Sequence, residues 1–298
     1  MENYHDEKTK LRIFEMIREL PLPKTGWVLD FGSGNGDLTE LLRKTLPGWK
    51  VFGTDISSQA ISNARKRYSH LNFFNLADKT KFERKFDFLF SFHVLEHVFD
   101  LKETWNTIDS LLKPTSIMLH ILPCGNKGSL GHRFSSLVRN GINKKGRFFY
   151  ETVGHLQRPS TKEMNLIARE HGFCLFKEFY GLHYWTAIEK ITTRSPWYIL
   201  NVYDPKRGKN EEAKIQVKRL RNKLFLITIL RLPVVLFDAK WYLRRSKLEA
   251  VFLFLFLSML YPFSYPINFY VNKKAEQEWN LCKTKRNGGD MYLFYERP

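Results

Sequence analysis

Cysteine is scarce in this chain of 298 residues: Cys124, Cys174 and Cys282 are widely spaced, odd in number and include no C-x-x-C pair. That excludes a disulfide framework and a cysteine-rich zinc site, and a reducing compartment fits. Met1 to Lys10 contains no apolar run, so no secretory signal is expected. Internal repeats and low-complexity tracts are missing. Acid is short relative to base, with 30 Asp and Glu against 48 Lys and Arg and a formal charge of +18. Some part of the surface therefore seeks anions, whether nucleic acid, lipid headgroups or a phosphorylated substrate. Apolar residues are not lacking: 43% hydrophobic and 15% aromatic content supplies a core for one large domain or two small ones.

Val28 to Glu40 organises what is present. An apolar run of strand length ends in Asp30 and Phe31; Gly32, Gly34 and Gly36 follow on alternate positions, and Leu38, Leu41 and Leu42 open a helix. Glycines suit a backbone that reverses sharply and lets a ligand lie against its N–H groups. The pattern is G-x-G-x-G, not the G-x-G-x-x-G of dinucleotide binders, so no pyrophosphate cradle is indicated. Ahead of it, Leu11, Phe14, Ile17 and Leu20 mark a helix stopped by Pro21 and Pro23. After it, strands are expected at Val51–Ile56, Leu71–Leu76, Phe86–Ser91, Ser116–Leu122, Phe173–Tyr180 and Asp290–Glu296, with a helical region starting at Leu95. Strands alternating with helices predict a mostly parallel sheet covered on both faces, with a ligand outside the carboxyl ends of its strands. Those ends carry Asp30, Asp55, Asp78 and the corner from Ser91 to His93. An acid closing the second strand suits the two hydroxyls of a ribose.

These residues, together with Phe86 to Val98, Leu112-Lys113-Pro114, Gly154-His155-Leu156 and His171-Gly172-Phe173, resemble the class I S-adenosylmethionine-dependent methyltransferases. The run His93-Val94-Leu95-Glu96-His97-Val98 is similar to the subgroup of ubiquinone-type and lipid- or glycan-tailoring enzymes. The resemblance implies a Rossmann-like seven-stranded sheet whose last strand is antiparallel, and S-adenosyl-L-methionine as cofactor. It places Asp30, Gly32, Ser33, Gly34 and Gly36 around the methionine part, Asp55 and Ile56 at the ribose, Asp78 at the adenine amino group, and His93 against the cofactor. Quinone enzymes carry an acid where His93 stands, and no metal is expected here. Thr115 stands where the family usually continues with glycine.

Methyl transfer to a hydroxyl needs the acceptor positioned and its proton removed, which one histidine can do. The candidates are His155, His132 and His97; His120, mid-strand between Leu119 and Ile121, reads as core. No Asn-Pro-Pro-Tyr motif follows Ser91, which disfavours methylation of base amino groups. Lys127 to Phe149 interleaves Arg133, Arg139, Lys144, Lys145 and Arg147 with Phe134, Phe148 and Phe149, a segment suited to a solvated loop or to an anionic acceptor.

About 110 residues separate the sixth and seventh strands, too many for a plain loop. Residues 1–182 with 289–298 are therefore expected to form the methyltransferase domain, and 183–288 a helical insertion. Residues 206–247 are strongly basic, Leu224 to Phe237 is apolar apart from Thr228 and Arg231, and Ala250 to Val271 contains no charge. Pro262 and Pro266 are expected to break that second run. Both flanking strands belong to one sheet, so any crossing of a bilayer comes in pairs; both arms are expected instead to lie in the interface, with residues 206–271 on anionic headgroups. The expected function is O-methylation of a lipid-linked or membrane-borne small molecule on the cytoplasmic membrane face, by a peripheral or monotopic enzyme. An RNA methyltransferase with a basic arm, or a cofactor-binding scaffold without turnover, are the alternatives; nucleic acid is disfavoured because its grooves do not call for an uncharged run of this length.

Overall fold

The computed structural model describes residues 3–83, 85–139, 155–244 and 246–297. The chain divides into two compact units, one made of Thr9–Gly125, Thr152–Phe179 and Asp290–Pro298, the other of Met1–Lys8, Asn126–Glu151 and Tyr180–Gly289. The second therefore takes in the segment after the fifth strand as well as the insertion.

In chain order the first unit holds most of α1 (Asn3–Arg18), then β1 (Trp27–Phe31), α2 (Asp37–Thr45), β2 (Lys50–Asp55), α3 (Ser58–Arg67), β3 (Asn72–Asn75), β4 (Phe86–Phe92), α4 (Leu101–Leu111), β5 (Leu112–Pro123), α6 (Thr161–Glu170) and β7 (Asp290–Glu296). With β6 (Cys174–Gly181) the strands form one seven-stranded sheet in the order β3-β2-β1-β4-β5-β7-β6. Pairing is parallel from β3 through β5, with Val28 opposite Val51 and Leu89 opposite Met118. β7 runs antiparallel to β5, Leu119 facing Phe294. Val28, Leu29, Phe88, Leu89, Met118, Leu119, Leu293 and Phe294 are fully buried, as expected of strands covered on both faces.

Two local expectations are corrected. Leu95 to Val98 forms a turn, and α4 begins only at Leu101, where the Asp100 carboxylate accepts the N–H groups of Lys102 and Glu103. Leu112-Lys113-Pro114 is already extended as the start of β5 rather than the end of a helix.

The second unit is helical. α5 (Leu130–Leu137), α7 (Trp185–Ile191), α8 (Pro196–Val202), α9 (Glu211–Asp238) and α10 (Lys247–Cys282) surround a core of Leu130, Phe134, Ile188, Ile199, Val217, Leu224 and Val271. α9 and α10 pack against each other as a hairpin joined through a 3-10 turn at Trp241–Arg244. Neither proline of α10 breaks it, contrary to the sequence expectation, and α9 likewise runs through Pro233. A proline in a helix removes one N–H and crowds the carbonyl four residues back. In α9 the neighbour relieves this: Ser264 Oγ donates to the Leu230 carbonyl at 2.7 Å and accepts from the Val234 N–H at 3.4 Å, two groups an unbroken helix joins to each other. In α10 the seam of Leu257, Ser264, Asn268 and Val271 buries against α9 and holds the helix continuous.

Arg231, the one charge inside the apolar part of α9, is fully buried. It donates to Asn268 Oδ1, Asn272 Oδ1, the Glu189 carbonyl and Thr192 Oγ, so its cost of desolvation is offset by four acceptors.

Candidate active site

A cleft of about 650 Å³ opens at the carboxyl ends of β1, β2 and β4, lined among others by Gly32, Thr54, Asp55, Ile56, Leu76 and His93. Its size suits a ligand of nucleoside class. The glycine turn makes one of its edges. Gly32 has φ +79°, and a Cβ there would meet Val94 at 2.3 Å, so a side chain is barred by conformation and by space. Gly34 has φ +52°, yet a Cβ there would meet nothing within 4 Å: its outer side is open. The turn is tied to β2, because the Thr54 carbonyl accepts the N–H groups of Gly32 and Ser33 and the Asp55 carboxylate accepts that of Gly34 at 3.0 Å. The second oxygen of Asp55 accepts the Ser57 N–H at 2.8 Å. Ser33 Oγ is buried with no hydrogen-bond partner among the described residues.

Asp30 is buried beneath the turn and accepts a hydrogen bond from Thr39 Oγ at 2.7 Å. Burial raises its pKa to about 7; the Thr39 bond opposes the rise and the negative charge of Asp55 adds to it. Asp78 lies on the 3-10 turn Leu76–Phe82, exposed and paired with Lys81 at 3.2 Å, and is not a lining residue; Leu76 at the start of that turn is.

At the other edge, His93 closes β4 with φ +53°, a left-handed conformation that few side chains adopt. Its Nδ1 is hydrogen-bonded to Glu96 Oε1 at 2.7 Å, and Glu96 is fully buried. The backbone carbonyl of Glu96 accepts the N–H groups of Leu156 at 2.7 Å and Gln157 at 2.9 Å. This anchor brings His155 against His97, ring centroids 4.8 Å apart. Arg158 Nε, donating to the Cys124 carbonyl, and the Gly125 N–H, donating to the Pro159 carbonyl, fix the same segment to the end of β5. Burial pushes the pKa of His155 below its ordinary value; Glu96 opposes this, and His93 adds to it.

Glu96, His97 and His155 bring one donor atom each within 4.8 Å of one another, and Glu96 Oε2 is buried without a hydrogen-bond partner among the described residues. A carboxylate with two imidazoles is a donor set able to hold a divalent ion, which the sequence reading did not foresee. His132 sits on α5 of the helical unit, its backbone N–H held by Ser129 Oγ. His120 is buried in β5, hydrogen-bonded to Ser91 Oγ at 2.7 Å, with its pKa lowered to about 3 by burial. Lys144, Lys145, Arg147, Phe148 and Phe149 lie outside the described residues.

Sequence reasoning passed over Glu96 as a site residue. The signal was available in its three-residue spacing from His93 and its place next to His97, but nothing local shows that its carbonyl receives a segment from beyond residue 150.

With this geometry in view, the comparisons with known proteins bear on the same part of the chain. A methyltransferase-domain model matches residues 5–178, and the chain belongs to that family. It is 29% identical over 137 residues to trans-aconitate 2-methyltransferase of Variovorax paradoxus, a match covering 45% of this chain and 52% of the relative, so the chain spans about half that protein's length. To demethylmenaquinone methyltransferase of Chlorobaculum parvum it is 27% identical over 183 residues, covering 56% of this chain and 73% of the relative. Among solved structures, phosphoethanolamine N-methyltransferase 2 of Haemonchus contortus in complex with S-adenosyl-L-methionine shares the fold, with a TM-score of 0.50 at 15% identity over 98% of this chain and 52% of that one. The protein is thus a class I methyltransferase, and the methyl donor of the class is S-adenosyl-L-methionine.

Proposed function

We propose that the protein is an S-adenosylmethionine-dependent O-methyltransferase acting on a lipid-linked or membrane-borne small molecule. The observation that carries the O-methyl reading is the pair His97 and His155, two imidazoles in contact beside the buried Glu96 carboxylate, with His97 lining the cleft. The open side of Gly34 and the unsatisfied Ser33 Oγ fit the methionine end of the donor, Asp55 fits the ribose hydroxyls, and Ile56 with Leu76 supplies apolar walls for the base. When bound, the donor supplies a methyl carbon activated by its sulfonium.

The chain's own part is to position the acceptor oxygen and take its proton. His155, kept neutral by burial, is the acceptor of that proton at a ring nitrogen, and His97 with Glu96 shares the positive charge that arrives. A hydroxyl needs such a base; an amine with a free lone pair does not. The membrane-borne character of the acceptor is supported by the α9–α10 hairpin, which combines an exposed apolar surface with the basic stretch of residues 206–223.

The test is transfer of labelled methyl from S-adenosyl-L-methionine into a total lipid extract with the full-length protein. Label is expected on an oxygen of a lipid-soluble species and is expected to fall sharply with His155→Gln. Label appearing only on RNA or on water-soluble acids would overturn the proposal.

A further inference from the structure

α10 carries a face that no described residue covers. Leu248, Phe252, Leu255, Met259, Phe263 and Tyr270 follow one another at helical spacing along one side, with 84%, 68%, 61%, 61%, 76% and 51% of their surface exposed. The opposite side holds the seam against α9. Between Ala250 and Ala275 there is no acidic residue, and from Ala250 to Val271 no charge at all, a charge-free length of roughly 33 Å at 1.5 Å per residue. Such a stripe on a water-exposed helix marks a contact surface.

We infer that this stripe is the bilayer-contact surface of the protein: α10 lies along the membrane plane, Leu248 to Tyr270 among the outer acyl chains of a leaflet containing anionic phospholipid. The inference rests on the membrane-borne acceptor proposed above and adds to it the face and the orientation.

Orientation follows from where α9 ends. The Phe237 ring meets Tyr261 edge-on at 5.1 Å and Phe254 at a tilt at 5.7 Å, and Asp238 accepts from the Tyr261 hydroxyl at 3.5 Å. Asp238 and Lys240, both exposed, therefore stand beside the middle of the charge-free run. A helix crossing the bilayer would hold these charges near its centre, roughly 15 Å from either end of the run. With α10 in the plane they stay on the water side, and only the stripe meets lipid.

The ends of the stripe argue for anionic lipid as occupant. Lys247 precedes it; at the far end Lys273 lies 6.0 Å from the Phe269 ring and Lys274 5.8 Å from the Tyr270 ring. Lysine beside aromatic side chains is the pattern of an interfacial anchor. A second copy of the chain would instead bring together two stripes flanked by lysines, on molecules each carrying +18.

The experiment is flotation of the full-length protein with mixed phosphatidylcholine–phosphatidylglycerol vesicles. Wild type is expected to float. Leu255→Asp and Phe263→Asp, both at exposed positions, are each expected to weaken partitioning about tenfold, the loss of one buried apolar side chain, with circular dichroism unchanged. Ile215→Asp, on α9 outside the stripe, is expected to float as wild type does. In a Cys174→Ser, Cys282→Ser background, a Lys240→Cys thiol is expected to react with an impermeant maleimide added outside sealed vesicles; protection of that thiol would overturn the in-plane orientation. Wild type that stays at the bottom of the gradient would sink the membrane-borne reading itself. Wild type that floats while both stripe variants float equally would leave that reading standing and overturn this one. A dimer split by Leu255→Asp with flotation unchanged would assign the stripe to a second copy.

Discussion

Arg231 on α9 donates to Asn268 Oδ1 on α10 over 3.0 Å, and its side chain has no access to solvent. Removing it strands the buried Asn268 and Thr192 and the half-buried Asn272 as acceptors. Arg231→Leu is therefore expected to lower the unfolding free energy by about 1–3 kcal/mol for each acceptor left unsatisfied. Urea titration of the full chain followed by helical ellipticity measures this. A loss under about 1 kcal/mol would mean that solvent or neighbouring groups replace the guanidinium at small cost.

Asp55 both closes β2 and accepts the Gly34 N–H, so its carboxylate shapes the glycine turn as well as facing the cleft. Asp55→Ala is expected to weaken S-adenosyl-L-methionine binding by about 10- to 100-fold, the equivalent of one or two charge-assisted hydrogen bonds, while the fold persists. Calorimetric titration checks it; unchanged affinity would remove Asp55 from the cofactor site.

His155 must be neutral to accept a proton. Burial places its pKa below the ordinary 6.5, so activity is expected to hold as pH falls to 6.5 and to decline only below that value. His155→Gln is expected to lower kcat by about 10²- to 10⁴-fold and to erase this acid limb. Should the limb survive in His155→Gln and vanish in His97→Gln, the proton acceptor is His97.

Asp30 gives a stability signature. Its pKa is raised from 3.8 to about 7 by burial, so the folded state holds a proton that the unfolded state releases. The stabilisation from that bound proton is complete below pH 3.8 and is lost as pH rises toward 7. Asp30→Asn, which keeps an acceptor for Thr39, is expected to remove this dependence and to raise Tm above that of wild type at pH 8 but not at pH 4. Parallel shifts at both pH values would show that Asp30 ionises freely.

The legible parts of this molecule were those written in local pattern. Asp290–Glu296 is a strand with the bounds its unbroken apolar run between two acids suggests, and Gly32, Gly34 and Gly36 form the turn their spacing requires. Pro262 and Pro266 misled because a proline's penalty depends on what lies beside it, and the buried seam of Leu257, Ser264, Asn268 and Val271 that holds α10 continuous cannot be seen along one helix. Asp78 looked equivalent to Asp55, yet a 3-10 turn carries it to the surface, where Lys81 meets it. The meeting of His97 with His155 depends on the Glu96 carbonyl, a backbone atom with no signature in sequence.

β7 lies between β5 and β6 in the sheet, although the chain reaches it last, after the whole helical insertion. The strand that occupies an interior slot is thus the final one synthesised. Until it arrives, β5 offers an unpaired edge of Ile117 to Pro123, apolar on both sides. Closing that gap requires strands far apart in the chain to meet before any pairing rewards it, so sheet completion is expected to be slow. Nascent chains halted before Asp290 are expected to be the ones that need a chaperone, and those released after it the ones that bind the methyl donor.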